Sequence, residues 1–150
     1  MVTRSLQGAV VAVMGASGGL GSNIVRLLAD RSAVLVLAGP HADRLRALAD
    51  EVAPATSVIA PCDVREAHCG DVIVGAVSEF GRLDGLINAA GVVAFGSLLE
   101  TADDLIEELF LTNTLGPLWL MKRVSTLLSV RSADRHRSFH PVWHPRPWRG

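Results

Sequence analysis

The sequence predicts an α/β fold in which a doubly wound parallel sheet carries helices on both faces. Three observations predict it. Short apolar runs alternate with helical segments, each helical segment has an apolar stripe at spacings of three and four residues, and a glycine cluster follows the first apolar run. Because strands and helices alternate, consecutive strands are joined by crossovers and must lie parallel.

Four apolar runs have the length and composition of strands that are buried on both faces. They comprise residues 9–14, 33–38, 57–61 and 84–89. With only about four strands, the predicted sheet is partial.

Helices are predicted between and after these strands. Their apolar stripes are Ile24, Leu27 and Leu28 in the first, Leu45, Leu48, Ala49 and Val52 in the second, and Val72, Ile73, Ala76, Val77 and Phe80 in the third. After the fourth strand, Thr101 precedes Asp103 and Asp104, a favourable helix start because the helix dipole attracts acids to the first turn. A long helical region then extends to about Leu128.

Composition and charge exclude several classes of protein. The 150 residues are 49% hydrophobic and 19% charged, which excludes a disordered chain. The net charge of -1 argues against a general nucleic-acid binder, which normally presents a strongly basic surface. Cys62 and Cys69 lack the number and spacing of a disulfide framework or a metal site, so we expect buried or free thiols and a cytoplasmic protein.

The apolar segments do not predict a membrane protein. The longest one, "LINAAGVVAFGSLL", is interrupted by Asn88, Gly91 and Gly96 and is too short to span a bilayer. The apolar stretch after Arg4 resembles a secretory signal, but the glycine cluster and helical pattern that follow it favour a buried strand.

The segment "GASGGLG", residues 15–21, is the main functional signal. Gly15, Gly19 and Gly21 lie between a buried strand and a helix. Glycine suits the sharp turn, the close approach of backbone to a pyrophosphate, and tight contact between helix and strand. The helix N-terminus adds amides and a positive dipole end. These features predict dinucleotide binding on a Rossmann-type fold; a simple tight turn is the alternative.

Three further segments follow in order: "CDV" at 62–64, "GRLDGLINAAG" at 81–91 and "LFLTNTLGPLWL" at 109–120. Together with the glycine turn, they resemble the motifs of the short-chain dehydrogenase/reductase family of the common type. The resemblance covers residues 6 to about 128. It implies the N-terminal, cofactor-binding half of that fold, and hydride transfer between a nicotinamide and an alcohol or carbonyl.

The resemblance also implies roles for individual residues. Asp63, followed by Val64, matches the aspartate that binds the adenine amino group, and Asn113 matches the active-site asparagine. The Asn-Ala-Gly segment matches the one that lines the cofactor and ties neighbouring strands. The full predicted cofactor set is Gly15, Ser17, Gly18, Gly19, Leu20, Gly21, Asp63, Val64, Asn88, Ala89, Ala90 and Gly91. Structural alternatives are a helix cap for Asp63, a structural amide for Asn88 and a solvated helix residue for Asn113.

Cofactor choice depends on the residues after the second strand. An acid there would bind the adenosine ribose of NAD, but "LAGPHADR" places Gly39, Pro40 and His41 at that point. His41 and Arg44 are the nearby bases. We therefore expect NAD(P) as the cofactor, with NADP weakly favoured.

The family's acid/base groups are missing from the sequence. The resemblance implies a tyrosine, a lysine four residues later that lowers the tyrosine pKa from about 10, and a serine that orients the substrate. The chain has no tyrosine, and its one lysine, Lys122, is predicted to be a surface charge on the long helix. Ser138 lies roughly where the serine is expected, but without an apolar strand around it. We expect an oxidoreductase by lineage that is catalytically incompetent; the alternative is a non-catalytic nucleotide-binding or interaction module.

The last twenty residues differ in composition from the rest. They hold five arginines, three histidines, three prolines and two tryptophans against one acid, whereas residues 1–130 hold nine bases and fourteen acids. Residues 131–150 have neither helical nor strand period. We therefore divide the chain into a cofactor-binding domain, 1–130, and an irregular basic tail, interpreted as foreign or out-of-frame sequence that replaces the catalytic half.

Two functional alternatives exist for the tail. His136, His140 and His144 recur every four residues, as metal ligands on a helix would, but Pro141 and Pro145 break such a helix. The arginines and tryptophans are compatible with nucleic-acid or membrane contact. Neither is favoured, so we predict no metal, nucleic-acid or membrane partner.

Self-association is predicted from the replacement of the catalytic half after residue 130. In the intact family fold, a fifth strand pairs with the fourth, and further helices cover the long helix. Without them, the fourth strand is an exposed apolar edge that can pair with another chain. The apolar residues expected to be uncovered on the long helix are Leu105, Leu109, Leu118, Trp119, Met121, Val124 and Leu128.

Overall fold

The computed structural model describes residues 5–133, with side chains to Leu128. The strands are β1 (Val10–Met14), β2 (Val34–Gly39), β3 (Ser57–Pro61) and β4 (Gly85–Asn88). The helices are α1 (Gly19–Ala29), α2 (Ala42–Glu51), α3 (Cys69–Ser78), α4 (Asp103–Phe110) and α5 (Gly116–Ala133). A short 3₁₀ turn, Leu98–Glu100, precedes α4, and a π-helical turn, Leu111–Leu115, joins α4 to α5. The predicted α/β architecture is confirmed.

The four strands form one parallel sheet in the order β3-β2-β1-β4. Val11 of β1 lies opposite Leu35 of β2 on one side and Gly85 of β4 on the other. Along the chain, β2 and β3 are therefore added in turn on one side of β1, and β4 is then added on the other side of β1. In open parallel sheets, ligands bind in the crevice that such a reversal leaves at the carboxyl ends of the strands.

Successive residues of β1 point to opposite faces, and both faces are covered. Val10, Ala12 and Met14 belong to a buried cluster that includes Ile73 of α3 and residues of α5. The other face buries its own cluster against α1 and α2; it comprises Val11, Val13, Ala16, Val25, Leu28, Ala33, Leu35, Leu37, Leu45, Leu48 and Val52. Burial on both faces explains why the strands read as continuous apolar runs.

Cys62 and Cys69 are buried free thiols, as predicted. Within the described residues, none of the helices combines the length and the apolar character that crossing a membrane requires.

The predicted tail features lie outside the described residues. These are Ser138 and the histidines at 136, 140 and 144. The backbone of α5 continues to Ala133, so the division at residue 130 stays a prediction.

The exposed edge predicted for the sheet is present in the described residues. There, β4 pairs with β1 on one side, and no strand pairs with its other side. On α5, Leu118 is 52% exposed and Met121 47% exposed, as predicted. The prediction is wrong for Val124, which is 0% exposed because it packs into the cluster under α3, and Leu128 is partly buried against the same cluster.

We predict that the 150-residue chain self-associates through the β4 edge and the exposed face of α5, because both present apolar groups to water. Size-exclusion chromatography should give an elution volume smaller than that of a monomer. The double substitution Leu118→Glu with Met121→Glu should shift elution toward the monomer. Leu27→Glu, at an equally exposed leucine of α1, should not. A monodisperse wild-type monomer with a sharp melt above ordinary mesophilic temperatures would contradict the prediction.

Candidate functional site

The turn after β1 is held against the end of β4 by direct backbone contact. Gly15 has a φ of 77°, and a Cβ at this position would lie 2.6 Å from the nitrogen of Ala90. A Cβ on Gly21, in the first turn of α1, would overlap the carbonyl oxygen of Gly15. No side chain fits at either position, so these glycines set how closely the turn, β4 and α1 approach one another.

The N-terminus of α1 directly follows this packed turn and is open. Its cap, Gly18, forms no side-chain hydrogen bond, and its first turn holds no acid. A Cβ on Gly19 would meet no atom within 4 Å. First-turn amides have no partner within their own helix, and the helix dipole is positive at this end. The turn can therefore accept an anionic group that approaches the backbone closely.

A cleft of about 310 Å³ lies at the carboxyl ends of the strands. It is lined by Met14, Gly15, Ser17, Gly18, Pro40, His41, Arg44, Asp63, Val64, Arg65, Ala89, Ala90, Gly91, Val92, Glu108 and Thr112. Eight of the twelve predicted cofactor residues are among them. The cleft thus lies where the strand order of the sheet reverses.

The remaining four predicted cofactor residues lie around this cleft and do not line it. Gly19, Leu20 and Gly21 form the first turn of α1, where the Leu20 side chain is exposed and Gly21 is buried. Asn88 is exposed, and its side chain makes only long hydrogen bonds to the backbone of Ala90, at 3.4 and 3.5 Å. The tie between strands is instead made by the backbone of Ala89, whose N–H donates to the carbonyl of Met14 at 2.8 Å.

Asp63 follows β3 and is held by Arg65. Its Oδ1 accepts a hydrogen bond from the Arg65 backbone N–H at 2.9 Å, and its Oδ2 accepts one from Nη2 at 2.7 Å. Side-chain hydrogen bonding from Arg65 is the main reason why the pKa of the Asp63 carboxyl is below its ordinary value, with smaller contributions from the Arg65 backbone, the Arg65 charge and His41. The carboxylate is therefore ionised at neutral pH.

Asn113 lies in the π-helical turn between α4 and α5 and is bonded to the loop after β4. Its Nδ2 donates to the carbonyl of Val92 at 2.8 Å, and its Oδ1 accepts from the N–H of Val92 at 3.0 Å. π-Helical turns inside helices occur frequently at functional sites. Asn113 thus ties the helix to one wall of the cleft.

Sequence reasoning missed four residues of this site. Arg65 and Glu108 pair across the cleft, Nη1 to Oε1, at 3.1 Å. The Thr112 hydroxyl is buried and has no hydrogen-bond partner among the described residues. Gly116 lets α5 begin directly against Val64, because a Cβ there would overlap the Val64 carbonyl. The only sequence signal was the Gly-Pro pair within a helical pattern at Gly116, which marks a helix boundary.

A larger cavity, of about 560 Å³, lies at the amino ends of β2 and β3. Arg26 and Glu51, which form a salt bridge at 2.6 Å, are part of its lining. None of the predicted site residues lines it, and parallel sheets place their ligands at the opposite ends of the strands. We therefore assign the site to the smaller cleft.

The family model for short chain dehydrogenases matches residues 9–135. The chain belongs to the short-chain dehydrogenase family. Among its curated relatives, dehydrogenase/reductase SDR family member 7B of Bos taurus is 36% identical over 126 residues, which are 78% of this chain and 39% of that protein. 11-Beta-hydroxysteroid dehydrogenase A of Sesamum indicum is 34% identical over 109 residues, 70% of this chain and 31% of that protein.

Solved structures of the family give the same result. A short-chain dehydrogenase/reductase from Serratia marcescens superposes with a TM-score of 0.78 at 30% identity, over 83% of this chain and 53% of that one. L-Sorbose reductase of Gluconobacter frateurii, solved with NADPH and L-sorbose, gives a TM-score of 0.80 at 25% identity, over 85% of this chain and 50% of that one. The chain therefore spans about half the length of these solved relatives, and about 30–40% of the two curated relatives above.

The close backbone contacts of the glycine turn lead to a prediction on stability. Gly21→Ala should lower the free energy of unfolding by about 1–3 kcal/mol, because the added methyl overlaps the Gly15 carbonyl. Gly75→Ala is the matched control: it lies in α3, where a Cβ meets nothing within 4 Å, and should raise stability by about 0.5–1 kcal/mol. Urea denaturation measures both. Equal stability of the two variants would contradict the assigned packing.

Proposed function

We propose that this chain is the NAD(P)-binding portion of a short-chain dehydrogenase/reductase and that it binds the adenosine and pyrophosphate part of the dinucleotide in the cleft. One observation carries the proposal: the open first turn of α1, where Gly19 presents no side chain, adjoins a cleft that also contains Asp63. An anion site and a carboxylate acceptor beside one cleft suit the pyrophosphate and the adenine of a dinucleotide.

The roles divide between two parts of the cleft. The amides of Gly19, Leu20 and Gly21 would receive the pyrophosphate. Asp63 and Val64 would contact the adenine, as the family resemblance implies, while Ala90 and its neighbours would line the cofactor beside β1.

The favoured cofactor is NADP. His41 and Arg44 line the cleft near the end of β2, where they can face a 2′-phosphate, and no acid stands at residues 39–41 to select NAD. The reducing cytoplasm is the proposed location, in keeping with the two free thiols.

As it stands, the chain is proposed to be catalytically incompetent. A bound nicotinamide supplies the hydride acceptor or donor, and the protein must still move a proton on the substrate oxygen. The sequence has no tyrosine to do so. The Asn113 amide is engaged on both sides by the Val92 backbone, so its role here is to hold the loop after β4. The proposed substrate class, taken from the short-chain dehydrogenase/reductase family, is a small alcohol or carbonyl compound.

Calorimetric titration with ADP-ribose, NADP and NAD tests the binding proposal. We expect all three to bind, with NAD no more than a few-fold tighter than ADP-ribose, which lacks only the nicotinamide, and with NADP tighter than NAD because of its 2′-phosphate. Gly19→Val should abolish binding because its side chain occupies the place of the phosphate. Gly75→Val, at an equally open glycine of α3, should bind normally. Normal binding by Gly19→Val would contradict the proposal.

Turnover separates this proposal from a competent enzyme. A panel of secondary alcohols and ketones with NADP(H) or NAD(H) should give no rate above that of Asn113→Ala. Measurable turnover above that control, or NAD affinity far above that of ADP-ribose, would mean that a working nicotinamide end exists. Absence of nucleotide binding altogether would instead favour the alternative, an interaction module without a cofactor.

A further inference from the structure

Arg65 occupies an unusual place in the cleft, between two acids from separate elements. Its Nη1 reaches Glu108 of α4 at 3.1 Å, while Nε lies 3.1 Å from each oxygen of Asp63. The backbone N–H and Nη2 complete the contact with Asp63. One guanidinium therefore determines where the Asp63 carboxylate points.

Asp63 stays accessible from the cleft although Arg65 holds it. Arg65 brings three N–H donors to the carboxylate, and its Nε–H is shared between the two oxygens, so that each oxygen accepts two contacts. The Asp63 side chain is nevertheless 21% exposed, and both side chains line the cleft. A donor from outside the protein can therefore reach the exposed edge of the carboxylate.

We propose that Arg65 is a positioning residue for adenine recognition, which fixes the Asp63 carboxylate so that its exposed edge faces the 6-amino group of the base. The inference rests on the proposed function, since it needs the adenine to lie at Asp63. Glu108 supports it by holding the guanidinium from the side of α4.

The planar fork of arginine matters for this role. It can hold both oxygens of a carboxylate at once, whereas the ammonium of lysine is a single point charge on a flexible stem. Lysine at this position would keep the positive charge near Asp63 but lose the fixed orientation of the carboxylate.

Other ionisable groups near Asp63 contribute to the pH dependence of binding in this cleft. The charged and titratable groups around it are His41 after β2, Arg44 of α2, Cys62, Arg65 and Glu66 after β3, Cys69 of α3, and Glu108 of α4. Hydrogen bonding from Arg65 is the largest cause of the lowered Asp63 pKa. Removing Arg65 should therefore raise that pKa toward its ordinary value.

The test compares the binding of ADP-ribose and inosine diphosphate ribose, in which a carbonyl replaces the 6-amino group. Wild type should prefer ADP-ribose by about tenfold, as expected for one hydrogen bond to a charged acceptor. Arg65→Gln should lose most of this preference, Arg65→Lys should lose part of it, and Glu108→Gln should lose a smaller part. Arg46→Gln removes an arginine from an exposed ion pair with Asp43 in α2 and should keep the full preference.

A pH series provides a second readout that a purely structural role would not move. Because the wild-type Asp63 pKa is lowered, its carboxylate stays ionised to a lower pH than that of an ordinary aspartate. As the pH falls, the preference for ADP-ribose should therefore disappear at a lower pH in wild type than the residual preference does in Arg65→Gln. Thermal melts of each variant confirm that it is folded.

The outcomes distinguish this inference from the proposed function. If wild type binds neither ligand, both fail. If wild type prefers ADP-ribose and Arg65→Gln keeps the same preference and the same pH profile, only the role of Arg65 is overturned.

Discussion

The cleft depends on one backbone contact, the approach of the turn after β1 to the end of β4. Gly15 lies so close to Ala90 that a single Cβ would fill the space between them, and Gly21 closes the same turn from the side of α1. This contact brings β1 and β4 together at the crevice where the strand order reverses, and Gly18, the N-cap of α1, lines that crevice. The strands beneath could tolerate other apolar residues, but the turn could not tolerate larger ones.

The two ends of the proposed site differ in how completely they are built. At the adenine end, Asp63 is oriented by Arg65, and Arg65 is held in turn by Glu108 of a different element. At the other end, Asn113 bonds to the loop after β4, and the sequence offers no tyrosine to move a proton. Under the proposed function, a dinucleotide would therefore be held mainly by its adenosine half, and binding would be separable from chemistry.

Most of the fold could be predicted because local patterns determine it. Each apolar run became a strand within about one residue, and the glycine turn lies where its spacing placed it. The interactions that the sequence did not reveal join distant residues: Arg65 and Glu108 are 43 positions apart, and the close contact of Gly116 with Val64 depends on how α5 packs. Val124 was expected to be uncovered because the helices that cover the long helix in the family fold are missing. In the structure, α3 already buries it.

Hydrogen–deuterium exchange with mass spectrometry, with and without saturating ADP-ribose, tests most directly whether the nucleotide binds in this cleft. It reports on individual segments and tolerates self-association. Protection should increase in peptides that cover residues 15–22 and 62–66, where the first turn of α1 and the Asp63 loop would contact the ligand. Protection confined to residues 26–34 and 51–56, around the larger cavity, or no protection at all, would contradict the assignment of the site.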